Sequence, residues 1–147
     1  MTAMRVRDVM TQAQWILPAD CPLTEGARRM RQWGVRWAFV VDAGRLLGVV
    51  TDTDLIVVAL ASGRPPSKVK IGDCHNPNAP RVDADQPLSK AYPDAHHTVA
   101  GWVAVVKGEF LLGIVRSTDL YSGHQLNERE PHTRQHLIDW LQGRHHR

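Results

Sequence analysis

The sequence predicts an α/β (α+β) protein in which two tandem β-α-β-β-α units pack as a pseudo-twofold pair, followed by a C-terminal helix. Three observations carry that expectation. Residues 19–55 recur at 84–120 without a gap, each copy alternates β-rich runs with helically spaced apolar residues, and the composition is that of one compact unit. The repeat sets Asp20 on Asp85, Pro22 on Pro87, Leu23 on Leu88, Trp37 on Trp102, Val40 on Val105, Gly48 on Gly113 and Asp54 on Asp119. The same register extends upstream to Val6/Ile71 and Asp8/Asp73. With 147 residues, 43% of them hydrophobic and 22% charged, the chain is long enough to bury a core without staples.

Element by element, Trp15–Pro18 reads as a short extended piece closed by the turn residues Pro18 and Asp20. A helix follows, with Pro22 suited to its start and Gly34 to its end. Leu23, Ala27, Met30 and Gly34 fall at helical spacing and define the apolar face, while Arg28, Arg29 and Arg31 stay in water. Trp37–Asp42 and Leu46–Thr51 are then β-rich runs separated by Ala43-Gly44-Arg45, which reads as a hairpin. A second helix starts near Asp52 and stops at Gly63, ahead of Arg64-Pro65-Pro66. This gives a first unit over 6–63, a linker over 64–70, a second unit over 71–123, and a C-terminal helix with a frayed tail over 124–147. In that last segment His136, Leu137, Trp140 and Leu141 share a helical face. The second copy departs from the first at Pro93, which stands where Arg28 stands. A proline inside a helix costs ~3 kcal/mol, so the first helix of the second unit is expected to be short or remodelled.

Several functions are disfavoured by what the chain carries. The longest apolar run, Leu55–Ala61, is too short to span a bilayer, and the N-terminus has no apolar signal region, so a cytoplasmic address is expected. Cys21 and Cys74 make no disulfide framework. No Gly-rich phosphate loop, His-Glu-x-x-His or paired-carboxylate motif marks an enzyme. Among eight histidines, His132 and His136 are helically spaced, but no third ligand completes a zinc site. The net charge of +3 suits an anionic small molecule as well as nucleic acid. Arg28, Arg29, Arg31, Arg36, Lys68 and Lys70 would serve a nucleic-acid reading, yet no aromatics interleave with them as stacking platforms. Nucleic-acid binding and a ligand-free adaptor stand as the alternatives.

The segments Val6-Arg7-Asp8-Val9-Met10 and Gly48-Val49-Val50-Thr51-Asp52-Thr53-Asp54-Leu55 carry a likeness, as do Ile71-Gly72-Asp73 and Gly113-Ile114-Val115-Arg116-Ser117-Thr118-Asp119-Leu120. Each half resembles a CBS motif, and the pair resembles a stand-alone CBS tandem, or Bateman module, over about residues 6–123. The resemblance implies a non-catalytic regulatory sensor that binds an adenosine-containing ligand such as AMP, ADP, ATP or S-adenosylmethionine between the motifs. It also implies a homodimeric disc, burying Met30 and Trp33, that signals to a downstream protein.

A ribose diol asks for a carboxylate, and Asp54 and Asp119 each stand at a strand-to-helix turn. A phosphate asks for hydroxyl or amide donors at a helix N-terminus, which Thr51 supplies in the first copy. Thr51 through Asp54 fits a helix-capping box equally well. Arg116 replaces that threonine in the second copy, either to clamp a phosphate or to fill the cleft. The resemblance further implies that Ile16, Leu17, Arg36, Trp37 and Ala38 line the first cleft, and Arg81, Val82, Trp102 and Val103 the second. For Trp37 and Trp102, packing is the preferred role. The two clefts are expected to be unequal, with the stronger site at Thr51 and Asp54.

Overall fold

The computed structural model describes residues 4–91 and 98–120. The first unit runs β1 (Ile16–Pro18), α1 (Leu23–Trp33), β2 (Trp37–Asp42), β3 (Arg45–Thr51) and α2 (Asp52–Ala61). The second runs β4 (Arg81–Asp83), α3 (Leu88–Ala91), β5 (Trp102–Lys107) and β6 (Phe110–Arg116), after which residues 117–120 are helical. Pro93, His96, His97 and the proposed C-terminal helix lie outside the described residues.

Each unit pairs its first strand parallel to the second and its second antiparallel to the third. The six strands line up as β1-β2-β3-β6-β5-β4, a mirror order that places the pseudo-twofold axis between β3 and β6. There the hairpin tips meet: Leu46 N–H donates to Glu109 O and Leu111 N–H to Gly44 O.

Alternation along the central strands buries both faces. In β2, Ala38 and Val40 enter the core beneath α1 and α2, whereas Trp37 and Phe39 enter a third core shared by the two units. β5 repeats this, sending Val103 and Val105 toward its own unit and Ala104 and Val106 to the shared core. α1 is capped by Gly34 at φ +70°, a left-handed conformation that favours glycine. Its buried face is Leu23, Gly26 and Met30 rather than Ala27, which is exposed. The reason is non-local: the Ile71 side chain descends onto Gly26, where a Cβ would meet Ile71 Cδ1 at 2.5 Å.

The 3₁₀ turns Val6–Asp8 and Ile71–Asp73 exchange places between the units. Val6 is buried in the core of the second unit and Ile71 in that of the first. The backbone bridges follow the same exchange: Arg5 pairs with Pro87 and Thr11 with Ile114, while Lys70 pairs with Pro22 and Asn76 with Val49. Gly48 and Gly113 permit the crossing, because a Cβ there would run into the Asn76 or Thr11 carbonyl oxygen. Arg7 and Lys107 converge on Asp85, tying the N-terminal segment to the second unit. Met30 is buried within its own chain, while Ile56, Val57 and Leu60 of α2 are exposed.

Candidate ligand clefts

The turn from β3 into α2 is built by reciprocal hydrogen bonds. Thr51 is the N-cap; its Oγ1 accepts from the Asp54 N–H at 3.2 Å, and Asp54 Oδ2 accepts from the Thr51 N–H at 3.0 Å. Asp52 N–H donates to Arg36 O at 2.8 Å, fastening the helix start to the entry of β2. The chain therefore realises the capping box, and both predicted polar side chains take part in it.

The second turn keeps the fastening and changes the chemistry. Ser117 N–H donates to Gly101 O at 2.9 Å, the counterpart of the Asp52–Arg36 bond. Arg116 lays its guanidinium over the Trp102 ring, 4.9 Å from the centroid, a cation–π contact. Asp119 is exposed on the helical residues that follow.

Of the other predicted site residues, Leu17 and Ala38 point into the core of the first unit, and Val82 and Val103 into that of the second. Ile16 is half-buried on β1, parallel to Phe39. Arg36 borders a hollow of about 280 Å³ between α1 and α2, together with Met30, Arg31, Val35, Asp52 and Leu55. Trp37 and Trp102 lie in and against the shared core, as packing residues do.

A larger cavity, about 740 Å³, opens between the units against β4. It lies within the roughly 300–1,000 Å³ of small-molecule sites. Pro77 to Arg81 form one wall, Thr98 and Val99 another, and Val49 reaches in from the first unit. Arg81 is the predicted site residue that lines it, held by bonds from Nε to Ala79 O and from Nη2 to Pro77 O, both 3.3 Å. A guanidinium fixed by its own loop offers a positioned cation. The remaining walls escaped the sequence reading because 76–80 (Asn-Pro-Asn-Ala-Pro) shares little with 11–15 (Thr-Gln-Ala-Gln-Trp). That mismatch was itself the available signal.

Trp15 occupies the place in the first unit that Pro80 holds in the second. Trp15 O accepts from Phe39 N–H at 2.9 Å, and Pro80 O from Ala104 N–H at 3.0 Å. The indole stands edge-on to Trp37 at 5.5 Å and to Trp102 at 5.3 Å, bridging the two units.

Burial raises the thiol pKa of Cys21 and of Cys74, which disfavours the thiolate. No group of three or more His, Cys, Asp or Glu is placed to hold a metal among the described residues. No helix among them is long and apolar enough to cross a membrane.

Mirror-ordered strands, exchanged leader segments and paired strand-to-helix turns define a tandem CBS pair. The CBS domain family model matches residues 6–61. The chain is 32% identical over 129 residues to the uncharacterized protein YlbB of Bacillus subtilis, covering 85% of each, and it belongs to the CBS domain family. It is also 26% identical over 115 residues to Hypoxic response protein 1 of Mycobacterium tuberculosis, covering 78% of this chain and 80% of that protein. A crystal structure of Hypoxic Response Protein I with two coordinated zinc ions superposes with a TM-score of 0.65 at 24% identity, covering 81% of this chain and 98% of the other. CBSX2 of Arabidopsis thaliana in complex with AMP gives 0.61 at 21% identity, covering 84% and 98%. The CBS domain pair of protein MJ0100, in complex with 5'-methylthioadenosine and S-adenosyl-L-methionine, gives 0.57 at 18% identity, covering 86% and 100%.

Proposed function

We propose that this protein is a non-catalytic regulatory module that binds an adenosine-containing ligand between its two CBS units and passes occupancy to a downstream protein through a homodimer. The observation that carries the reading is the cavity between the units, of ligand size and with the Arg81 guanidinium fixed on its wall. The AMP bound by CBSX2 and the methylthioadenosine and S-adenosylmethionine bound by MJ0100 supply the ligand class. An adenine fits a wall of Pro80, Ala79 and Val99, while a phosphate or carboxylate satisfies Arg81.

At the strand-to-helix turns, Asp119 is the diol acceptor and Arg116 the anion clamp of the second cleft. Asp54 and Thr51 hold the matching positions in the first, where they bind a ribose and a phosphate only if a ligand enters that cleft in competition with the α2 cap. Ile16, Leu17, Arg36, Trp37, Ala38, Val82, Trp102 and Val103 set the cleft walls, the buried ones by fixing the backbone. For Arg116 to reach an anion it leaves the Trp102 ring, so phosphate binding competes with one cation–π contact, about 0.5–1 kcal/mol at an exposed site. The exposed Ile56, Val57 and Leu60 give the dimer an apolar seam.

A thermal-shift panel of AMP, ADP, ATP and S-adenosylmethionine tests the reading. A ligand at 100 times its Kd stabilises the fold by about 2.7 kcal/mol, which raises Tm by several degrees. No shift with any of the four at millimolar concentration overturns it.

A further inference from the structure

The two units share one strand-pairing pattern and differ at the residue that precedes the first strand of each, Trp15 in the first and Pro80 in the second. Trp15 and Pro80 are repeat counterparts whose carbonyls accept the same hydrogen bond in their respective units. On the Pro80 side the wall recedes and a cavity opens. On the Trp15 side an indole projects into the shared core and packs edge-on against two further indoles, one from each unit. Its backbone has φ +56°, a left-handed conformation uncommon for a bulky residue and one that the packing around it must hold.

We infer that Trp15 is a built-in stopper for the first cleft, so that the chain carries one adenosine ligand, in the cleft of the second unit beside Arg81. This deepens the proposed function and rests on it. It also reverses the order of strength expected from Thr51 and Asp54 alone. Those two side chains already satisfy each other in the cap, so a first-cleft ligand must compete with the cap and also displace the indole. Neither cost falls on the second cleft, where Arg116 in place of threonine leaves no equivalent Thr–Asp pair.

Calorimetry with AMP as the probe tests this on the wild type, Trp15→Gly and Trp15→Ala, with circular dichroism confirming that each is folded. Glycine accepts the positive φ without strain, and alanine guards against an effect of backbone freedom alone. One AMP per wild-type chain is expected, weakened about 10-fold by Arg81→Ala and unmoved by Asp54→Ala. Two per chain are expected in the folded Trp15 variants, the second being lost when Asp54→Ala is added. Two AMP per wild-type chain, or one in both wild type and folded variants, overturns the stopper while leaving the nucleotide reading in place. A wild-type site that is lost on Asp54→Ala and indifferent to Arg81→Ala overturns it as well. No AMP in any of the chains overturns the AMP site beside Arg81 and the stopper with it, while the four-ligand thermal-shift panel decides the wider adenosine reading.

Discussion

Substituting Gly48 by alanine strikes the point where the leader segment of the second unit crosses the first. A Cβ at position 48 would collide with the carbonyl oxygen of Asn76 and approach the His75 ring to 2.8 Å. The first obstacle is backbone, so no side-chain rotamer relieves it. Either the crossing strand stays and the contact is overpacked, at about 1–3 kcal/mol, or it moves away. Moving breaks the reciprocal bonds Val49 N–H to Asn76 O (2.9 Å) and Asn76 N–H to Val49 O (2.7 Å), each worth about 1 kcal/mol. Both routes converge on a loss of roughly 2–3 kcal/mol, or roughly 4–12 °C in Tm for a chain of this size. Urea denaturation of Gly48→Ala beside Gly108→Ala isolates the effect. Gly108 has φ +61° with nothing within 4 Å of its would-be Cβ, so it reports the left-handed backbone penalty alone, about 1–2 kcal/mol. If Gly48→Ala costs no more than Gly108→Ala, the close crossing is not the reason for glycine at 48.

Three further outcomes follow from the same geometry. Thr51→Ala removes the N-cap acceptor of α2 and should lower stability by about 1 kcal/mol, read by urea denaturation; an unchanged midpoint contradicts the cap. The hydrogen bond from Lys107, and then the Arg7 contact, lower the Asp85 pKa from its ordinary 3.8, so its contribution is present above that value and lost as pH falls through the lowered folded value. The Tm advantage of wild type over Asp85→Asn should therefore shrink as the pH falls below 3.8, and a constant difference would refute the tie of Arg7 and Lys107 to Asp85. Cys21 and Cys74, buried with raised pKa, should resist a thiol reagent at neutral pH until the chain unfolds; prompt labelling of the native protein counts against that burial.

Local features were legible in the sequence and relational ones were not. The strands, the hairpin, the Gly34 cap and the Thr51–Asp54 turn depend on spacings of a few residues, and they stand where the pattern put them. The exchange of Val6 and Ile71 was hidden by the repeat itself, since a leader shows the same register whichever unit it packs on. Helical spacing marks Ala27 as a core position, because it says nothing of the Ile71 side chain arriving at Gly26 from 45 residues away in sequence. For the site, shared residues drew attention to Asp54 and Asp119, yet the cavity is set by what the copies do not share: Pro80 against Trp15. A repeat comparison that looks only for identity passes over the positions where two pseudo-equivalent clefts are made different.

A crystal structure of the chain grown with saturating AMP would show whether an adenosine ligand sits between the two CBS units, in the cleft walled by Arg81 and Val99. One nucleotide per chain is expected, its anionic group against Arg81 and the Trp15 indole still wedged between Trp37 and Trp102. A nucleotide at the Thr51–Asp54 turn with Trp15 swung aside, or one bound away from the inter-unit face altogether, would contradict it.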